Sequence, residues 1–422
     1  MIKYIKWRYF AITNLVKEGA TMEYFRRNLY LLTVTNFLAA SSWNQVVPFL
    51  PQFLNELGVH EGVQGWAGLI FSMHFVSGII MQPVWGKISD MVGRKPMIVR
   101  AGLCLSGIYF GMSFSTAPWH LALCRFLNGA LTGFIPGAIA LIATNTPKEF
   151  SGRYVAIAQT GSAAGNIVGP SLGGILAALF GFRTAMRVSG VVVLISTLLV
   201  LLFVREENKV KPKERTTLVQ DFILAFKMPV LTSVMGTVLL STTISMSIQP
   251  MLTLYLEELN PFISKALSGA IFSMPGLAFV LCAYRWSSLG ERISYPPVII
   301  LGLIGVSFNT AALSLAPTVW AFALIYFITG IFLAALTPCA AALIANKIDD
   351  SFRGRAYGMQ QSASLLGGAI TPALAGLIGN VLGIRYTFIC MGSLVLAATG
   401  LLYLQMRTWS QIKVISFKAS NR

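Results

Sequence analysis

Few residues of this chain could do chemistry, because 55% of its 422 residues are hydrophobic and only 11% are charged. We find no HExxH, GxxxxGK[ST] or GxSxG pattern, which are the motifs of zinc peptidases, nucleotide hydrolases and serine hydrolases. The five cysteines lie in apolar stretches without a CxxC pair, which favours small buried side chains over a metal site or a disulfide framework. We therefore predict no catalytic residue, no metal and no cofactor, and we expect that the chain is not an enzyme.

Four ionisable residues that lie in or beside apolar blocks are candidates for a functional role. Arg125 and His74 lie inside apolar blocks, where a charge is costly and marks a functional site by default. Glu257 and Glu258 directly follow another apolar block and, like the other thirteen acidic residues, they avoid the middle of such blocks. Two plainer interpretations stay open: Arg125 could extend its charged end to water, and His74 could be a neutral packing residue.

The elements that hold these residues are apolar blocks long enough to cross a bilayer, which takes about 20 residues of helix. Hydropathy and helix-breaking residues predict twelve transmembrane spans, and so an all-α membrane protein. The predicted spans cover residues 28–54, 64–85, 97–116, 119–143, 153–179, 184–204, 231–256, 266–284, 296–316, 318–345, 355–379 and 386–406.

The orientation in the membrane follows from the basic residues, since Lys and Arg concentrate in cytoplasmic loops. With both termini in the cytoplasm, 27 of the 32 Lys and Arg residues lie on that side. This distribution also accounts for the formal charge of +17, because basic loops then face an anionic leaflet. We therefore expect no nucleic-acid partner.

An internal repeat relates the two halves of the chain. A shift of 202 residues superposes identical residues over spans 4–6 and 10–12, among them Pro136/Pro338, Gly165/Gly367, Pro170/Pro372 and Gly174/Gly376. Two parallel repeats with a site at their interface suit a transporter that alternates access. We expect a cytoplasmic N-terminal tail (1–27, with Met22 as an alternative start), a six-helix bundle (28–204), a cytoplasmic linker (205–230), a second bundle (231–406) and a cytoplasmic tail (407–422).

The loop between spans 2 and 3 reads Gly86-Lys-Ile-Ser-Asp90-Met-Val-Gly93-Arg94-Lys95. Its glycines permit a tight turn, and Asp90 is placed to pair with Arg94 or with a helix N-terminus. This spacing resembles the signature loop of the major facilitator superfamily. The resemblance implies the two-bundle fold of that family. It also assigns to Gly86, Asp90, Gly93, Arg94 and Lys95 the role of closing the cytoplasmic side when the protein faces outward.

Two further motifs carry the same resemblance. Span 5 contains Gly161, Gly165, Gly169, Pro170, Gly173 and Gly174. Four of these glycines recur every four residues and form a bare stripe that lets a partner helix approach closely, while the proline permits a bend. The stretch from Gly165 to Gly174 resembles the motif of the antiporter, drug-exporting branch, and Arg125-Phe-Leu-Asn-Gly129 resembles a span-4 motif associated with proton transfer.

Polar, aromatic and methionine side chains within the spans are candidates to line a substrate cavity. Methionine and aromatic walls suit varied amphiphiles, and the lack of a carboxylate in mid-span argues against strong selection for cations. The candidates are Trp43, Asn44, Gln45, Met73, Asn128, Phe134, Gln159, Gln249, Tyr255, Phe272, Gln360 and Gln361.

The resemblance covers residues 28–406 and is closest in character to bacterial twelve-span drug:proton antiporters. It implies a secondary transporter of the bacterial cytoplasmic (inner) membrane that exports hydrophobic or amphiphilic small molecules, such as drugs, by alternating access in exchange for protons. Under this resemblance, Arg125, His74, Glu257 and Glu258 are the candidates for proton coupling. We expect a monomer whose partners are the lipid bilayer, the amphiphilic substrate and protons. Three alternatives stay open: export of one endogenous metabolite such as a siderophore, import or facilitated passage without proton coupling, and a sensor or scaffold that does not transport.

Overall fold

The computed structural model describes residues 2–206, 228–348 and 350–420, and throughout these ranges the regular structure is helical. This confirms the expected all-α fold. The helices are α1 (Ile2–Val46), α2 (Leu50–Glu56), α3 (Val63–Val92), α4 (Arg94–Ser113), α5 (Pro118–Leu131), α6 (Phe134–Asn145), α7 (Lys148–Phe180), α8 (Phe182–Phe203), α9 (Pro229–Leu259), α10 (Lys265–Ile293), α11 (Tyr295–Leu313), α12 (Val319–Lys347), α13 (Asp350–Leu382) and α14 (Ile384–Ser420). We call residues up to 206 the N-terminal half and residues from 228 onward the C-terminal half.

Ten stretches of the described chain are long and apolar enough to cross a membrane, with α5 and α6 together counted as one. The other two predicted spans lie in α1 with α2, and in α4. Helix α4 carries Arg94, Lys95 and Arg100 in its first two turns, and these charges lower its hydropathy.

Two predicted spans are interrupted, each for a local chemical reason. The first span leaves the α-helix after Val46 for a single 3-10 turn, because Pro48 and Pro51 lack the N–H that a continuous helix needs. The fourth span divides between α5 and α6 at Gly133, whose φ of +136° is a conformation that side chains with a Cβ rarely adopt.

The segments predicted as cytoplasmic tails are helical where the structure describes them. Helix α1 begins at Ile2, so the residues expected as a tail before position 28 continue the first span as helix. Helix α14 likewise runs on to Ser420. The expected linker falls mostly on residues 207–227, which lie outside the described residues.

The helices of the two halves pack in the same order. Helix α1 packs against α7 and α4 against α8, as α9 packs against α13 and α11 against α14. The Trp85 indole donates a hydrogen bond to the carbonyl of Ala130, and Trp286, 201 residues later, donates to Ile331. Two long contacts join the halves: α3 runs along α13, and α7 runs along α10. The repeat in the sequence is therefore also a repeat in packing.

Candidate functional site

A cavity of about 300 Å³ lies between the two halves. Four of the residues expected to line it do so, namely Trp43, Asn44, Gln249 and Phe272. The other lining residues are Asn166, Ser245, Met246, Ile248, Ser273, Pro275, Gly276, Tyr326 and Leu333. Helices α1, α7, α9, α10 and α12 therefore all contribute to one site, which only the association of the two halves creates.

The cavity combines neutral amides with an aromatic and thioether wall. The side-chain amide of Asn44 donates a hydrogen bond to the side-chain Oδ1 atom of Asn166 at 2.9 Å, and this bond joins α1 to α7. None of the described residues that line the cavity carries a formal charge. Such a surface can hydrogen-bond a neutral polar group and bury an apolar one, and it provides no fixed counter-ion for a strongly charged ligand.

Three of the expected cavity residues lie in the packed interior instead. Tyr255 is fully buried, with its ring 5.5 Å from Phe322 and 5.3 Å from Phe388, so it belongs to the core of the C-terminal half. Phe134 is buried within the N-terminal half. Gln45 is buried and accepts a hydrogen bond from Ser189 at 2.9 Å, which satisfies its amide within its own half.

The remaining expected residues also lie outside this lining. Asn128 is fully buried, and Met73 is partly buried on α3. Gln159 and Gln361 are exposed and Gln360 is partly buried, on α7 and α13. Gln159 precedes Asn166 by seven residues of helix, about 10 Å along the axis, which places it on the side of the cavity that is nearer to the start of α7. Position along α7 thus separates Gln159 from the lining. The other four residues lie on α3, α5 and α13, which contribute no residue to this cavity.

The sequence analysis missed Asn166 and Tyr326 as lining residues. Asn166 follows Gly165 in the glycine motif, where an amide within an apolar span was the available signal. Tyr326 is one of several aromatic residues in its span, and nothing local distinguishes it from the residues that pack in the core.

Two proton-coupling candidates meet at the indole of Trp43. The guanidinium carbon of Arg125 lies 4.5 Å from the centroid of this ring, and the His74 ring lies 4.6 Å from it. Only 1% of Arg125 is exposed, so it does not extend to water. Its Nε atom and the Nδ1 atom of His74 are buried without a hydrogen-bond partner in the described part of the chain. Arg125 is therefore held chiefly by aromatic faces, and the ring that it holds is part of the cavity wall.

The other two proton-coupling candidates, Glu257 and Glu258, lie at the end of α9, at one end of the helix bundle. The Gln52 amide donates to Oε1 of Glu257 at 2.7 Å, and the Lys265 ammonium lies 3.6 Å from a carboxylate oxygen of Glu56. Both contacts join the N-terminal half to the C-terminal half. Glu258 is exposed at the same end. We call this the sealed end, and we call the end that carries residues 86–95 the gating-loop end.

The glycine motif of span 5 packs in two directions. A Cβ atom on any of the four glycines that recur every four residues would overlap a backbone carbonyl oxygen of α1. The pairs are Gly161 with Thr33, Gly165 with Phe37, Gly169 with Ser41, and Gly173 with Gln45. Pro170 and Gly174 face α10 instead, where a Cβ at Gly269 would overlap the carbonyl of Pro170. One face of the motif therefore builds the N-terminal half, and the other builds the contact between the halves.

The repeat gives this contact a counterpart on the opposite side of the molecule. A Cβ at Gly68 would overlap the carbonyl of Pro372, and Gly376 lies against the same glycine. Gly68 and Gly269 are 201 residues apart, and Pro170 and Pro372 are 202 apart. Two equivalent close crossings, α3 with α13 and α7 with α10, thus hold the halves together between the cavity and the sealed end.

The loop of residues 86–95, to which the family resemblance assigned a gating role, is held within its own half by a residue that the sequence analysis did not single out. Asp90 pairs with Arg94 at 3.2 Å, as the spacing suggested. Glu206 accepts hydrogen bonds from the backbone N–H groups of Arg94 and Lys95, each at 2.8 Å. Gly93 has a φ of +114°, and a Cβ there would lie 3.1 Å from the Glu206 carboxylate. Gly86, by contrast, has open space around it.

Comparison with known proteins agrees with this architecture. The sequence profile described as Major Facilitator Superfamily matches residues 32–260 and 234–413. The chain is 33% identical over 377 residues to the multidrug resistance protein MdtG of Salmonella arizonae, which covers 88% of this chain and 93% of that protein. It is 32% identical over 370 residues to the protein of the same name from Proteus mirabilis, over 86% of this chain and 92% of that one.

Solved structures show the same fold at low sequence identity. A bacterial homologue of the human lysosomal transporter Spinster, in an inward-facing and occupied conformation, superposes with a TM-score of 0.79 at 14% identity, over 91% of this chain and 97% of that one. The D323A mutant of the nucleoside transporter NupG superposes with a TM-score of 0.76 at 13% identity, over 90% and 99% of the two chains.

Proposed function

Because this chain belongs to the Major Facilitator Superfamily, we propose that it exports hydrophobic or amphiphilic small molecules, drugs among them, in exchange for protons. The chain is a multi-pass membrane transporter and not an enzyme. Relatives that match it over most of both chains carry the name multidrug resistance protein, which supports export as the direction and drugs as substrates.

The observation on which this proposal depends is the uncharged cavity between the halves. Trp43, Met246, Phe272 and Tyr326 offer apolar and polarizable surface, and the Asn44–Asn166 pair offers neutral hydrogen-bonding groups. A thioether and aromatic wall adapts to ligands of different shape, because dispersion contacts do not demand one geometry. Neutral and weakly charged amphiphiles are therefore the substrate class that this surface favours.

We propose that transport proceeds by rocking of two six-helix bundles, residues 28–204 and 231–406, about this cavity. The positive-inside distribution puts both termini and the gating-loop end in the cytoplasm, and the sealed end outside, in a bacterial inner membrane. The contacts at Gly68 and Gly269 would then close the outer side in the state described here, and the loop of residues 86–95 would close the inner side in the alternate state. The transporter acts as a monomer in this scheme.

Among the candidates for proton coupling, the geometry favours Glu257. A coupling group must meet different surroundings in the two states. The Gln52 amide reaches Glu257 across the halves in the state described here, and opening of the outer side in our scheme would break this bond. A proton on His74 would instead place a second positive charge next to Arg125 inside the membrane, which is costly. We therefore assign the coupling to Glu257 and assign packing roles to His74 and to Arg125, which holds Trp43.

Efflux of a fluorescent dye from energised cells that express the protein tests the proposal directly. We expect a neutral or weakly cationic amphiphilic dye to leave faster than from control cells, and a protonophore to remove the difference. Absence of any drug or dye phenotype would favour a dedicated metabolite exporter. Dye movement that is insensitive to the protonophore would favour a facilitator. Absence of both dye and metabolite transport would leave the sensor or scaffold.

A further inference from the structure

A second cavity, of about 510 Å³, lies on the flank of the N-terminal half beside the first turns of α4. Its apolar wall includes Val99, Leu103 and Leu201, and the last two are about half exposed at 49% and 45%. Its charged lining residues are Lys95 and Arg100. We call this cavity the flank groove. It shares no lining residue with the central cavity, and the transport scheme above does not use it.

Arg100 is positioned within the flank groove by an aromatic ring. Its guanidinium carbon lies 3.5 Å from the centroid of the Trp85 ring, and the indole of Trp85 is itself fixed by a hydrogen bond to the carbonyl of Ala130. The Nε and Nη1 atoms of Arg100 are buried and have no hydrogen-bond partner in the described part of the chain. The Nη2 atom of Arg100 is not among these buried atoms, and within the described residues it has no hydrogen-bond partner. It is therefore the donor of this fixed guanidinium that an acceptor in the groove can reach.

The helix terminus does not supply that acceptor and is not itself the binding site. The Glu206 carboxylate already occupies the first backbone N–H groups of α4, those of Arg94 and Lys95. Among the described residues, no carboxylate forms an ion pair with the side chain of Lys95 or of Arg100. Two positive side chains, neither ion-paired to a described residue, thus remain at the edge of an apolar groove.

We propose that the flank groove binds one anionic phospholipid, with its phosphate between Arg100 and Lys95 and an acyl chain along Val99, Leu103 and Leu201. Arg100 lies five residues after Lys95, about 7.5 Å deeper along the helix, so the pair spans the boundary between headgroups and hydrocarbon. Guanidinium and ammonium groups are the side-chain groups that bind phosphate. The two positive charges of Arg100 and Lys95 exceed the single negative charge of a phosphodiester. A lipid without a compensating ammonium group is therefore preferred over a zwitterionic one.

Native mass spectrometry of the purified protein, with phosphatidylglycerol or phosphatidylethanolamine titrated in detergent, tests this assignment. We expect one phosphatidylglycerol to bind at least tenfold more tightly than phosphatidylethanolamine. Arg100→Gln should remove that preference. Leu103→Trp, which fills the apolar wall without changing charge, should weaken phosphatidylglycerol binding by a similar factor, so the result does not depend on the stability of the arginine variant alone.

Arg292→Gln is the matched control, because it removes one positive charge from the gating-loop end of α10, where the residue is exposed and does not line the groove. Its lipid binding should equal that of the unmodified protein. Equal binding of the two lipids, or equal loss in Arg100→Gln and Arg292→Gln, would overturn the proposal. Competition by inorganic phosphate with no effect of Leu103→Trp would show that the groove binds free phosphate, and would likewise overturn it.

Discussion

The carboxylate of Glu206 accepts a hydrogen bond from the backbone N–H of Arg94 at 2.8 Å, although the two residues are 112 positions apart. A second bond, to the N–H of Lys95, has the same length. A residue three positions after the end of α8 therefore caps the start of α4, within the loop motif of residues 86–95. An acidic group at this place satisfies two N–H groups that the helix cannot bond internally and interacts favourably with the helix dipole.

Replacement of Glu206 by Gln should lower the thermal stability of the purified transporter. Hydrogen bonds to a charged group contribute about 1.5–3 kcal/mol, and the amide keeps only one acceptor oxygen, so we expect a fall of about 3–6 °C in unfolding temperature. Scanning fluorimetry measures it. Glu149→Gln is the control, since Glu149 lies in the first turn of α7 and is exposed. Equal changes of unfolding temperature in Glu206→Gln and Glu149→Gln would mean that the two hydrogen bonds of Glu206 do not stabilise the protein.

Replacement of Gly269 by Val should prevent closure at the sealed end. The new side chain would overlap the Pro170 carbonyl, so α7 and α10 could not approach, and we expect efflux to fall at least tenfold. The hydroxyl oxygen of Ser273 lies 3.0 Å from that of Ser171 across the contact. A cysteine introduced at Ser273 should therefore react faster with an impermeant maleimide from outside in the Gly269→Val protein than in the protein with Gly269. Gly107→Val is the control, because nothing lies within 4 Å of a Cβ at that position. Normal efflux by Gly269→Val would contradict the assignment of the seal.

Two glutamine substitutions should separate the candidates for proton coupling. In Glu257→Gln we expect dye binding to persist while efflux no longer depends on a pH gradient, because the carboxylate to which we assign the proton coupling is removed. In His74→Gln we expect the pH dependence to be unchanged. Transport into inverted vesicles at imposed pH gradients measures both. If His74→Gln loses the dependence on the pH gradient and Glu257→Gln keeps it, the coupling group is instead His74, beside Trp43.

Replacement of Arg125 by Gln should weaken substrate binding without unfolding the protein. The guanidinium stacks on Trp43, and loss of a buried cation–π contact is worth about 0.5–2 kcal/mol, which corresponds to about 2- to 30-fold in dye affinity. Since Arg125 has no ionic partner among the described residues, its removal leaves no opposite charge unpaired. Fluorescence titration with the dye measures the change. Arg187→Gln removes a similar contact with Phe114, outside the cavity, and should leave the affinity unaltered.

Introduction of a carboxylate in the cavity should change which substrates are preferred. In Gln249→Glu we expect the ratio of cationic to neutral dye efflux to rise about tenfold, equal to about 1.4 kcal/mol, since the cavity gains the counter-ion that it lacks. Gln249→Leu, which removes the amide and adds no charge, should not raise the ratio. A ratio that stays constant in Gln249→Glu would place Gln249 outside the path of the substrate.

The sequence was sufficient for those features that depend on composition along one helix or on comparison of the chain with itself. Long apolar blocks must span a bilayer because no other structure satisfies the backbone there, so the all-α fold could be derived. The 202-residue repeat reappeared as the paired packing around Pro170 and Pro372. The spacing of four between the glycines of span 5 was enough to predict a close helix contact, which the structure finds with α1.

The tertiary structure alone decided which side chains share a site. Trp43 and Tyr255 are both aromatic residues near polar ones in apolar spans, yet one lines the cavity and the other is buried in the core. In a soluble helix, polarity would indicate which face is buried, but in a membrane both the lipid and the core accept apolar side chains, so this signal is weak. Helix rotation, and contacts such as that of Glu206 with Arg94, depend on packing between segments more than a hundred residues apart.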